Sequence, residues 1–240
     1  MRATVGLARD FEEIRMFAIL TDETEIRDFR ENFATSANSL TILSLADLLS
    51  EHIWTDSRSD IVNKLAKEIE AVSKGWAPKR VMQALKKFLG LEAMHRLYGC
   101  EHARVLDSES MPLRTFSFME VFVEFERNPR ILATNLSDSS IHWDKMHAAL
   151  TRKSSEGLGL PANASFNNLS YRSTDFWMFS LVHVSQLMTY VSDFHDKSFV
   201  YVFTRYPAGV PVYYGNFMRN IMLAEKYEVL LSSDTYSRVQ

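Results

Sequence analysis

In Ala103-Arg104-Val105-Leu106-Asp107-Ser108-Glu109-Ser110-Met111-Pro112-Leu113, a short apolar run ends in two acids spaced i, i+2, with a proline three residues further on. The run reads as a buried strand and places Asp107 and Glu109 at its carboxyl end. Open α/β sheets bind their ligands beyond the carboxyl ends of the strands. Two carboxylates on an irregular turn there can both reach one hard divalent cation. Mg²⁺ or Mn²⁺ held in this way can also hold a diphosphate. An Asp-x-Glu triplet is also common by chance, and its plain reading is a solvated turn after a strand.

Working outward, the residues before this stretch alternate strand and helix patterns. Thr4 to Ala8 is a short strand candidate, and Met16-Phe17-Ala18-Ile19-Leu20 is a clear apolar run. Thr21-Asp22-Glu23 has the character of a helix start, followed by Ile26, Phe29 and Phe33 at helical spacing. Leu40 to Leu45 reads as a strand running into a helix through Leu48 and Leu49. Ile61, Leu65, Ile69 and Val72 form one helical stripe. Gly75 and Pro78 interrupt it, and a second helix runs from Pro78 to Gly99. Strand, helix, strand, helix in this order predicts a parallel sheet.

Beyond the acids, Phe118 to Phe125 reads as a helix ended by Asn128-Pro129, and Arg130 to Thr134 as a strand. Residues 151 to 170 hold serines, asparagines, Gly157, Gly159 and Pro161, and are expected to form a long loop of the kind that closes over a ligand. Ser173-Thr174-Asp175 resembles a helix cap, so a helix is expected from Phe176 to Tyr190. An aromatic segment follows from Phe199 to Met222, in which Tyr201-Val202-Phe203 and Tyr213-Tyr214 suit core packing, an acceptor groove or a dimer interface. Tyr227 to Leu231 closes the chain as a strand.

The pattern Trp76, then Gln83-Ala84-Leu85-Lys86, then a strand into Asp107-Ser108-Glu109 and Met111-Pro112-Leu113 resembles nucleotide-sugar glycosyltransferases of the GT-A fold. It is most similar to small bacterial and viral members, over residues 16 to about 135. The resemblance implies a single α/β/α sandwich of Rossmann type with a mainly parallel central sheet. Residues 1–110 would bind a nucleotide-diphosphate sugar and residues 111–240 a glycan or other hydroxyl acceptor. Asp107-Ser108-Glu109 then stands as a variant of the Asp-x-Asp motif. Asp107 and Glu109 would bind Mn²⁺ or Mg²⁺, and Gln83, Lys86 and Asp107 would contact the donor. The glutamate in place of the second aspartate lengthens one arm of the metal site.

Gln83 and Lys86 are spaced i, i+3 and share a helix face. An ordinary solvated face explains them equally well, because lysine is mostly exposed. An inverting transferase needs a carboxylate base for the acceptor. Asp175, Asp138 and Asp193 follow the motif; Asp175 is the candidate base, with a plain helix cap as its structural alternative. His142, His147, His183 and His195 are candidates for a third metal ligand, each more often structural.

The composition bounds the rest. The 240 residues are 46% hydrophobic with 16 Phe, 11 Met, 9 Tyr and 4 Trp, enough for a large core and not the composition of a disordered chain. The net charge of −3 lacks the basic footprint of a nucleic-acid binder. A single cysteine, Cys100, rules out an internal disulfide. The N-terminal apolar run is too short for a signal peptide, and no stretch reads as a membrane span, so a cytoplasmic protein is expected. Gly-x-Gly-x-x-Gly, a phosphate loop and Gly-x-Ser-x-Gly are all missing, against dinucleotide oxidoreductases, P-loop kinases and α/β-hydrolases. A nucleotidyltransferase or phosphotransferase also uses paired carboxylates with Mg²⁺, and a non-catalytic glycan-binding module derived from a transferase is a third reading.

Overall fold

The computed structural model describes residues 15–20, 23–33, 40–52, 58–72, 77–105, 117–135, 142–161, 169–174, 177–223 and 228–231. Its strands are β1 (Met16–Leu20), β2 (Leu40–Ser44), β3 (His102–Arg104), β4 (Arg130–Asn135), β5 (Leu169–Thr174), β6 (Met178–Ser180) and β7 (Glu228–Leu231). Its helices are α1 (Glu23–Phe33), α2 (Leu45–Ser50), α3 (Arg58–Val72), α4 (Pro78–Tyr98), α5 (Phe118–Arg127), α6 (His142–Gly157), α7 (Leu181–His195), α8 (Phe199–Arg205) and α9 (Val210–Asn220).

The chain is a mixed α/β protein, with the strand–helix order expected from Met16 to Tyr98, and the strand candidate Thr4 to Ala8 lies outside the described residues. One mainly parallel sheet is not what its described strands form. They pair in three separate ladders: β1 with β2, β3 with β6, and β5-β4-β7. β1–β2 and β4–β7 are parallel, whereas β3–β6 and β4–β5 are antiparallel. The stretch before the acids is therefore a three-residue antiparallel strand, not a member of a parallel sheet. A continuous apolar run in sequence does not distinguish the two pairings, because both bury such residues.

The longest helix, α4, organises the core. Pro78 stands in its first turn, where a missing N–H costs nothing. Gly99 ends it at φ 66°, with Gly99 N–H donating to His95 O and Cys100 N–H to Met94 O. A glycine inside a helix costs roughly 0.5–1 kcal/mol relative to alanine. Gly90 is kept in α4 by a close approach: a methyl there would collide with the Ile19 side chain of β1. On another face Phe88 is fully buried, with edge-on contacts to Phe199 at 5.1 Å and Phe203 at 5.5 Å in α8, and to Tyr213 of α9 at 6.0 Å.

The aromatic C-terminal segment divides, and Tyr201 is exposed. Val202, Phe203, Tyr213 and Tyr214 are all buried, so these side chains form core and not an open groove. The expected loop at 151–170 is also overturned in its first part. Residues 151–157 are the last turns of α6, and Thr151, Ser154 and Ser155 are buried. Their hydroxyl-rich sequence reads as loop, but Ser154 and Ser155 each donate a hydroxyl to Thr151 O at 2.9 Å inside the helix. The turn that follows is tied down by Leu160 N–H to Ser155 O and by the Tyr190 hydroxyl to Leu158 O. Residues 162–168 lie outside the described residues. The helix expected from Phe176 begins at Leu181 instead, because Met178–Ser180 form β6. Among the described residues no helix is long and apolar enough to cross a membrane.

Candidate functional site

The β3–β6 ladder joins two parts of the sequence that carry candidate residues. Its register pairs His102 with Ser180, Ala103 with Phe179 and Arg104 with Met178. Ala103, Met178 and Phe179 are buried, which anchors the ladder to the core. Phe179 meets the Tyr214 ring edge-on at 5.2 Å, and Ser180 N–H donates to the Tyr214 hydroxyl at 3.2 Å. Leu181 N–H to Glu101 O at 2.8 Å closes one end of the ladder, and Val105 N–H to Trp177 O at 3.0 Å closes the other.

That second end has unusual geometry. Trp177 has φ 55°, in the left-handed region that a bulky side chain rarely adopts. Such backbone strain costs of order 1–3 kcal/mol and gathers at functional sites. Lys87 of α4 holds its ammonium 4.6 Å from the centre of the Trp177 ring. The ring's negative face attracts the cation and fixes where it sits. Arg104, half-buried on β3, adds a second cation, whose pKa burial pushes below its usual value. It stays protonated, since arginine does not lose its proton in proteins.

The candidates read from the sequence divide around this end. Asp107, Glu109 and Asp175 lie outside the described residues, as does Trp76. In sequence Asp107 comes two positions after Val105, and Asp175 two positions before Trp177. Gln83 is exposed on α4. Lys86 is half-buried beside α1, where burial pushes its pKa down and Glu25 partly offsets the effect. It is Lys87, about 100° further round the helix, that stands over Trp177. Sequence spacing favours Lys86, whereas Lys87 faces the ladder, because the residues that distinguish them, Glu25 and Trp177, are remote in the chain. Trp177 went unnoticed for the same reason.

The histidine candidates are spread over α6 and α7. His195 Nε2 lies 3.0 Å from Gly157 O, and its ring stacks on Tyr206 at 5.8 Å. His142 and His147 fall on α6, and His183 and Asp193 on α7. Asp138 lies outside the described residues. Cys100 is half-buried, and burial raises its thiol pKa, which disfavours a reactive thiolate. Among the described residues, no three His, Cys, Asp or Glu side chains are grouped to hold a metal ion. The described part of this ladder end carries the positive charges of Lys87 and Arg104, which suit an anionic ligand.

Neither a family model, nor a curated protein, nor a solved structure matches this chain.

Proposed function

We propose that the Val105–Trp177 end of the β3–β6 ladder binds a nucleotide-diphosphate sugar together with Mn²⁺ or Mg²⁺, and that the protein transfers the sugar to a hydroxyl acceptor. The observation that supports this most is the Lys87 ammonium held over the strained Trp177, at the ladder end from which the chain runs on to Asp107 and Glu109 on one side and back to Asp175 on the other. A GT-A-like arrangement of the three ladders is part of the same proposal.

Sugar transfer from such a donor breaks the anomeric C–O bond, and the departing diphosphate gathers negative charge. Asp107 and Glu109 would hold a divalent cation, which would supply Lewis-acid neutralisation of that charge without proton transfer. Lys87 and Arg104 add fixed positive charge for the same phosphates. In this reading Lys87, rather than Lys86, is the principal donor contact. Asp175 accepts the proton of the acceptor hydroxyl as it attacks the anomeric carbon. Gln83, exposed on the same helix, is available for sugar hydroxyls.

Incubation with a panel of nucleotide sugars and Mn²⁺ tests the proposal. Release of free nucleoside diphosphate from one donor, faster with a hydroxyl acceptor and abolished in Asp107→Ala, is expected. No release above background from any donor and acceptor pair would overturn it.

A further inference from the structure

Trp177 is held in its left-handed conformation from the end of β3 and from α4. Asp196 takes the same conformation as the cap of α7, a usual place for it. In a residue as large as tryptophan it is an outlier that costs energy to maintain. Val105 N–H donates to Trp177 O at 3.0 Å, and the half-buried side chain packs against the core. The Lys87 ammonium stands 4.6 Å from the ring centre.

The contact with Lys87 is electrostatic, so its strength depends on what else the ammonium meets. The negative face of the ring attracts a cation. An anion paired with the same ammonium cancels that charge, and the ring face repels the anion itself. The attraction lost is comparable in size to the backbone strain it helps to offset. A charge-assisted pair with phosphate is the stronger partner for the ammonium.

We propose that Lys87 and Trp177 form a latch: a diphosphate that pairs with Lys87 lets Trp177 leave the left-handed conformation, and the hydrogen bond from Val105 then breaks. The latch rests on the diphosphate site proposed above and adds its regulation, since the ladder end then senses whether the diphosphate is bound. By linkage the effect is reciprocal. The ring competes with the phosphate for one ammonium, so a protein without the ring binds diphosphate more tightly. A ring that merely positions Lys87 predicts the reverse.

Inorganic pyrophosphate with Mg²⁺ is the probe. Hydrogen exchange of the Val105 amide, followed by NMR, reads the ladder-end bond, and calorimetry reads affinity. Saturating pyrophosphate should speed Val105 exchange about tenfold, against the usual slowing by a ligand. Trp177→Leu should bind pyrophosphate about three- to tenfold more tightly than wild type. Lys87→Gln removes the charge at little cost to the fold, and its Val105 amide should exchange fast without any ligand. Pyrophosphate that binds wild type while Val105 exchange is unchanged or slowed overturns the latch and leaves the diphosphate site standing. So does a Trp177→Leu affinity equal to or below that of wild type, or Val105 exchange in Lys87→Gln as slow as in unliganded wild type. Pyrophosphate that does not bind wild type overturns the diphosphate site, and the latch with it.

Discussion

Lys87 and Phe88 are neighbours in α4 with opposite surroundings. Phe88 is 0% exposed and enclosed by three aromatic rings. Lys87 meets one ring, that of a tryptophan in a strained backbone conformation at the end of a three-residue ladder. One residue of helix rotation separates a region built for stability from one built to present charge. Stability in the first region comes from apolar area and close packing. The second presents charge from half-buried side chains, and under the proposed function these weigh on ligand binding more than on folding.

The largest effect belongs to the packed side. Phe88→Ala is expected to cost about 3–5 kcal/mol, the usual range for a truncated core aromatic, read by urea unfolding. A loss below about 1 kcal/mol, the level of a substitution outside the core, would break the contrast. Gly215→Ala comes next, at about 1–3 kcal/mol, because the added methyl must displace the Tyr171 ring. A variant as stable as wild type would mean that β5 does not pack on α9 as described.

On the charged side, Lys87→Ala is expected to change stability by no more than about 1 kcal/mol, the size of an exposed cation–π pair. Its affinity for the nucleotide donor should fall about tenfold, equivalent to about 1.4 kcal/mol. Lys86→Ala should lower affinity less, since Lys86 lies beside Glu25. Equal losses in the two variants would assign the lysines to a solvated face.

The smallest effect is a pH dependence. His52 is half-buried, and burial lowers its pKa below 6.5 more than Glu92 and Glu51 raise it. The unfolded chain therefore takes up a proton at His52 before the folded protein does, and stability falls as pH drops below about 6.5. His52→Gln should flatten the Tm profile between about pH 5 and 7, with no change above pH 7. An unaltered slope would remove His52 from the acid response.

Much of the element order was legible in the sequence. The apolar periodicity of α3 and α4, the Pro78 and Gly99 ends of α4, and the runs at β1, β2, β4 and β7 all carry local signals. Pairing does not. Whether β3 joins a parallel sheet or an antiparallel ladder depends on Met178–Ser180, three residues that read as the start of a helix because the apolar pattern runs on unbroken into α7. The hydroxyl-rich turns of α6 read as loop because serine and glycine favour loops locally, and only contacts with Asn216 and Tyr213 show why they are buried. In the sequence the acids are visible as a motif, while the pairing of Lys87 with Trp177 is not, since the fold alone brings those two together.

The central claim is that a nucleoside diphosphate and a divalent cation bind together at this ladder end. Calorimetric titration with a panel of nucleoside diphosphates, with and without Mn²⁺, measures it directly in wild type, Asp107→Ala and Glu109→Ala. One nucleotide should bind wild type only when Mn²⁺ is present, and both variants should lose that binding while keeping the wild-type Tm. Nucleotide binding that is indifferent to Mn²⁺, or that survives in either variant, would contradict the account.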